Sequence, residues 1–152
     1  MSISVQTADF DAGAEIAALR ADPSVGAVVT FVGTVRDINE GDSVSSLTLE
    51  HYPGMTEKAL ADIVRQARER WTLNAVRVIH RVGTLRALDQ IVFVGVAGRH
   101  RGACFAACEF IMDYLKTQAP FWKKEATGRG DRWVEARDSD DEAARRWESG
   151  QE

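Results

Sequence analysis

Two lysines, Lys116 and Lys123, stand on either side of an Ala119-Pro120 break in the stretch 110–132, FIMDYLKTQAPFWKKEATGRGDR, among Tyr114, Phe121 and Trp122. Lysine is usually a hydrated surface residue. Held against aromatic and aliphatic bulk, it loses hydration and its pKa falls. An ammonium of that kind becomes a proton donor, a base or an amine nucleophile near neutral pH. Two such lysines at one helix end point to a site that handles an anionic substrate. Each also has a plainer reading. Lys116 suits the C-terminal dipole of a helix, and Lys123 and Lys124 suit an edge strand that must avoid aggregation.

Other residues fit the same chemistry. Arg36 follows a strand in GTVRD. Arg99, His100 and Arg101 fall where an apolar strand ends and a long helix begins. Helix N-termini present free N–H groups and a positive dipole end to anions, so a His-Arg pair there suits a phosphate. For any one of these residues, a solvated loop charge is the plainer reading. His51 and His80 fall in predicted strands and read as structural. Cys104 and Cys108 lie four apart on one helix face and read as buried packing thiols. No His or further Cys stands at ligand spacing, so no metal site is expected.

Charge narrows the partner. The chain of 152 residues carries a net −4, yet 99–137 holds eight Lys/Arg against five Asp/Glu, a local +3. A basic patch on an acidic protein suits a small anion such as a phosphate ester, and suits a long polyanion poorly. No apolar run approaches the ~20 residues of a membrane helix. The N-terminus MSISVQTADFDAG has no basic region leading into an apolar stretch, which leads to a cytoplasmic expectation.

The elements that must position these residues follow from periodicity. One domain is expected over 1–152, with 138–152 a charged C-terminal tail and a loose helix around 143–147. Strands are predicted at 3–7, 27–35, 44–52, 75–82 and 90–97, with 121–126 and 132–136 as a hairpin turning through 127–131. Gly33 marks a bulge or close backbone approach. The segments 37–42 and 83–89 read as connections. Helices are predicted at 11–21, 55–71 (capped by Gly54 or Thr56) and 102–117, the last placing Lys116 in its final turn. Pro120 stops that helix and starts the strand on which Lys123 and Glu125 share one face and Trp122 and Lys124 the other. Helices and strands mix without strict alternation, which predicts an α+β fold with a mainly antiparallel or mixed sheet.

The segments GAVVTFVGTVRD, LEHYPGMTEKAL, VIHRVGTL, the apolar strand followed by GRHR, and FIMDYLKTQAPFWKKE with GDRWVEA resemble the large, catalytic subunit of molybdopterin synthase. The resemblance spans about 26–147, and its motifs are long and specific. It implies an α/β hammerhead with an additional antiparallel β-sheet. It implies a sulfurtransferase that installs two sulfurs as a dithiolene on cyclic pyranopterin monophosphate, with no cofactor of its own. The sulfur donor implied is a small ubiquitin-like subunit whose C-terminal Gly-Gly ends as a thiocarboxylate. The assembly implied is a homodimer of large subunits within a heterotetramer. Essential lysines of the family match Lys116 and Lys123. Substrate-anion contacts match Arg36, His100 and Arg101, the His-Arg pair being supplied across the dimer interface. Thr34, Val35, Lys124 and Glu125 match the pocket lining. Two other classes stand beside this one: a noncatalytic scaffold for a ubiquitin-like partner, and a single-stranded nucleic-acid platform built on Phe121, Trp122 and Trp133. The overall acidity opposes the latter.

Overall fold

β-branched and aromatic runs make the strands, and they assemble into two sheets. The computed structural model describes residues 2–36, 38–39, 42–127, 130–134 and 138–148. In chain order the elements are β1 (Ile3–Gln6), α1 (Ala12–Leu19), β2 (Ala27–Thr34), β3 (Ile38–Asn39), β4 (Asp42–His51), α2 (Met55–Arg70), β5 (Ala75–Arg81), β6 (Gly83–Arg86), β7 (Gln90–Gly98), α3 (Arg101–Gln118), β8 (Phe121–Thr127), β9 (Gly130–Val134) and α4 (Asp138–Glu148).

The first sheet runs β1-β5-β7-β2, with β1 parallel to β5 and the other pairs antiparallel. β7 is its centre, and Val92–Gly98 is buried throughout. Period-2 alternation divides its side chains between two layers. Val76, Val78, Val92, Val94 and Val96 face α2 and α3, while Ile79, Phe93 and Ala97 face α1. The second sheet runs β3-β4-β8-β9, with β6 on the other flank of β4, and is antiparallel. Leu47, Leu49, Leu85 and Val35 form its small core. The α+β class expected from the sequence is the observed one.

Three details differ from the sequence reading. The connection 83–89 contains a strand, β6, which pairs Leu85 with Leu47 and ties the first sheet to the second. Part of the expected loop 37–42 is β3, paired with the start of β4. Residues 37, 40 and 41, and 128, 129, 135 and 136 of the expected hairpin, lie outside the described residues. Helix α4 is docked rather than loose. Trp147 is 2% exposed, and its indole Nε1 donates to Asp113 Oδ2 at 2.6 Å. Its ring meets those of Phe110 and Trp71 at 5.5 and 5.7 Å.

Local chemistry sets the element ends. Asp11 caps α1 by accepting from the Ala14 N–H at 3.1 Å. Gly54, at φ +85°, starts α2, and its N–H donates to Glu57 Oε1 at 3.0 Å. At Gly33 a Cβ would stand 2.8 Å from Val92 Cγ1, so what crowds the glycine is a side chain and not another backbone. The register shifts one residue later, between Gly33 and Thr34.

Cys104 and Cys108 are buried, at 0% and 5% exposure. Burial pushes both thiols up, Cys108 to about 11, so neither is a nucleophilic thiolate at neutral pH. Changing both to alanine should leave activity near wild type and lower stability by roughly 1–2 kcal/mol through small cavities. Thermal melting and an activity assay on the double variant check this. A folded, inactive protein would contradict the packing role.

Candidate functional site

Helix α3 is the axis of the site. Its buried stripe (Cys104, Ala107, Cys108, Ile111, Leu115) packs on the first sheet. Arg101, Phe105, Glu109 and Lys116 are exposed and follow one another at three- to four-residue multiples along its outward side. Lys116 occupies the last turn, as the spacing predicted. Ala119 is extended (φ −78°, ψ 134°), the conformation favoured before proline, and Phe121 opens β8.

Lys123 pairs in register with Leu49 on β4 and Val134 on β9, and its side chain is half-buried. Lys124 and Glu125 pair with Thr48 and Leu47. Cross-strand partners share a face, so Lys123 lies on the Leu49 face. Trp122 stands on the Glu50 side, edge-on to Tyr52 with centroids 4.4 Å apart. The expected desolvation of Lys116 is not met in the single chain. Tyr114 turns into the core, whereas Lys116 lies on the exposed stripe of α3.

The sequence reading missed what lies beneath the lysines. His80, 5% exposed at the end of β5, stacks on Phe121 with ring centroids 3.8 Å apart and planes 17° apart. Its Nδ1 lies 2.8 Å from the Arg81 carbonyl oxygen. A carbonyl only accepts, so Nδ1 carries the proton and Nε2 keeps its lone pair. Burial, opposed by that hydrogen bond and reinforced by the charges of Lys116, Lys123 and His51, pushes His80 from its ordinary 6.5 to about 3. His80 is thus a neutral ring on which both lysine charges act. His51 pairs with Phe121 in register, and their centroids are 6.4 Å apart. The one signal available in the sequence was that His51 and His80 each lie near the end of a predicted strand.

The linkage has a definite sign. An imidazole whose folded pKa is depressed takes up its proton in the unfolded chain first. Its contribution to stability is therefore full above about pH 6.5 and is lost as pH falls toward about 3. Wild type should lose on the order of 2 kcal/mol more than His80→Phe between neutral pH and about pH 4.5. Denaturant titrations at the two pH values measure it, and parallel losses would contradict the neutral, buried ring.

The remaining predicted residues separate into two groups. Thr34, Val35 and Arg36 lie at the end of β2, beside Gln90 at the start of β7. Val35 is buried, while Thr34 and Arg36 are exposed. A turn holds this end: the Val35 N–H donates to the Asp89 carbonyl and the Leu88 N–H to that of Val35, both at 2.9 Å. Leu88 adopts φ +75° to make that turn, an uncommon conformation for leucine. His80 pairs with Val92, so it lies at this same end of the sheet. His100 holds the N-cap position of α3 without a side-chain capping bond and Arg101 is the first helical residue, both exposed and close in sequence to Gly98 at the far end of β7. Fifteen residues of helix separate Arg101 from Lys116, about 22 Å along the axis. Within one chain, the His-Arg pair does not meet the lysines.

Fold and site together define an α+β protein with a cluster of cations where two sheets and a helix end meet. The chain belongs to the MoaE protein family, whose sequence pattern matches residues 5–118. It is 67% identical over 147 residues to the molybdopterin synthase catalytic subunit of Ralstonia nicotianae, covering 96% of this chain and 84% of that one. The solved structure of the molybdopterin biosynthesis MoaE protein from Burkholderia ambifaria superposes with a TM-score of 0.83 at 57% identity, covering 97% of each chain. The fold extends to a structure from Helicobacter pylori, a protein-protein complex of subunits 1 and 2 of molybdopterin-converting factor. There the TM-score is 0.71 at 18% identity, over 90% of this chain and 92% of that one.

Proposed function

We propose that this chain is the catalytic subunit of a molybdopterin synthase, a sulfurtransferase of molybdenum cofactor biosynthesis. It moves two sulfurs from the C-terminal thiocarboxylate of a small ubiquitin-like subunit to cyclic pyranopterin monophosphate, forming the dithiolene. The observation that carries the reading is the placement of Lys116 in the last turn of α3 and Lys123 on β8, either side of the Phe121–His80 stack, at a sheet junction of this family's fold. The substrate carries a cyclic phosphate. Opening it and adding sulfur needs proton transfer and stabilisation of developing negative charge, and ammonium groups do both.

Lys116 and Lys123 are the catalytic residues in this reading. Thr34, Val35 and Arg36 border the pterin phosphate from the end of β2, and Lys124 and Glu125 line the approach along β8. His100 and Arg101 serve the site of a second copy. The length of α3 supports that division, as does the outer edge of β2, where Phe31 and Val32 are 39% and 37% exposed. In this reading the protein works in the cytoplasm. No helix among the described residues is long and apolar enough to cross a membrane.

Sulfur must be brought in, because both thiols of the chain are buried. A Gly-Gly tail has no side chains and threads a narrow channel that bulkier residues would block. In this reading the channel mouth lies beside 121–125, with Lys123 or Lys124 pairing with the terminal thiocarboxylate. Deleting the partner's last glycine should abolish dithiolene formation while docking of its body persists. Binding and product assays with full-length and truncated partner test this. Undiminished product from the truncated partner would overturn tail delivery. Docking without any product from the full-length partner would favour the scaffold reading.

A further inference from the structure

Lys116 and Lys123 belong to different elements joined through Pro120, so their relation depends on what anchors the residue after the proline. That residue is Phe121. It packs against the core of the first sheet and lies flat on His80. The plate beneath it is itself fixed. His80 is buried and tied through Nδ1 to the Arg81 carbonyl, and the Arg81 guanidinium donates to the carbonyls of Thr7 and Gln90. His51 flanks Phe121 from the second sheet, and its Nδ1 is buried without a partner among the described residues. The stack therefore bridges the two sheets at the point where the chain passes from one lysine to the other.

We propose that His80 and Phe121 form a positioning clamp for the lysine pair: the His80 ring fixes Phe121, and Phe121 fixes how the α3 end carrying Lys116 meets the strand carrying Lys123. Neither residue has to touch substrate. Its catalytic consequence rests on the sulfur-transfer reading above, and its geometric consequence rests on the stack alone. Reacting groups tolerate little misplacement, and a shift of about 1 Å can cost ~10²-fold in rate.

The test uses the full chain with its thiocarboxylated partner. His80→Asn keeps a donor for the Arg81 carbonyl but removes the plate, and Phe121→Leu keeps bulk but removes the ring. Each should lower kcat about 10- to 100-fold with a smaller change in KM for the pterin. His80→Phe and Phe121→Tyr, which keep two stacked rings, should recover most of that loss. The combined His80→Asn, Phe121→Leu variant should be no slower than the slower single variant, since both break one clamp.

A second readout does not depend on turnover. Lys116 and Lys123 of the wild type should be joined by a short bifunctional amine reagent, with mass spectrometry reading the yield. The yield should fall in the two disruptive variants and return in the two aromatic ones. Wild-type kcat in His80→Asn and Phe121→Leu, losses that multiply in the double variant, or an unchanged cross-link yield would each overturn the clamp. A wild-type protein that makes no dithiolene would overturn the function instead, and the cross-link would still decide the clamp.

Discussion

Lys116→Ala and Lys123→Ala are each expected to lower dithiolene formation by about 100-fold or more, the range in which positioned proton donors and acceptors act. Both variants should keep a wild-type thermal transition. Lys116 is exposed on the outward stripe of α3, so truncation leaves no cavity. Lys123 is half-buried on a strand paired on both sides, and the backbone ladder survives the change. Because both charges oppose protonation of His80, losing either leaves that ring neutral and removes no favourable contact from it. Product formation and melting measured on the same preparations decide the matter. Near-wild-type turnover in a folded variant would remove that lysine from the mechanism.

The second large effect is expected from mixing. An Arg101→Ala chain and a Lys116→Ala chain should each be inactive alone, because each spoils every site in its own homodimer. Arg101 and Lys116 stand at opposite ends of α3, about 22 Å apart along the axis. If the His-Arg pair serves the neighbouring copy, a mixed dimer contains one site with both groups intact. Activity should then recover to up to about a quarter of wild type when the chains reassort at equal amounts, because half the dimers are mixed and each has one working site of two. No recovery despite proven exchange would place each site within a single chain, against the length of the helix.

The strands and the main helices were legible because their signals are local. β7 is an unbroken apolar run, α2 carries a 3.6-residue stripe, and Pro120 marks the end of α3 wherever the chain folds. β6 was not legible as a strand. GTLR is four residues long, and what makes it a strand is β4, some forty residues earlier in the chain. The docking of α4 was hidden for a similar reason, since its only large apolar anchor is Trp147 in a charged segment and its partners are Trp71, Phe110 and Asp113.

The site divides the same way. The two lysines were visible as residue types around a proline. His80 was not, because a lone histidine in an apolar strand reads as core, and nothing in VIHRVGTL says that β5 ends beneath the start of β8. The exposure of Lys116 was misjudged from its neighbours in sequence. Tyr114 and Leu115 face the core while Lys116 does not. The separation of Arg101 from Lys116 needed only the helix length, and the sequence carried that.

The central claim is that this chain transfers sulfur from a partner's tail to a pterin through its lysine pair. A single-turnover reaction with limiting pyranopterin tests it most directly, with intact-mass counting of the partner's thiocarboxylate and carboxylate forms. The account predicts two thiocarboxylates consumed for each dithiolene formed by the wild type, and consumption reduced to background with the Lys116→Ala chain. Dithiolene formed without loss of thiocarboxylate, or thiocarboxylate consumed at the wild-type rate by the Lys116→Ala chain, would contradict it.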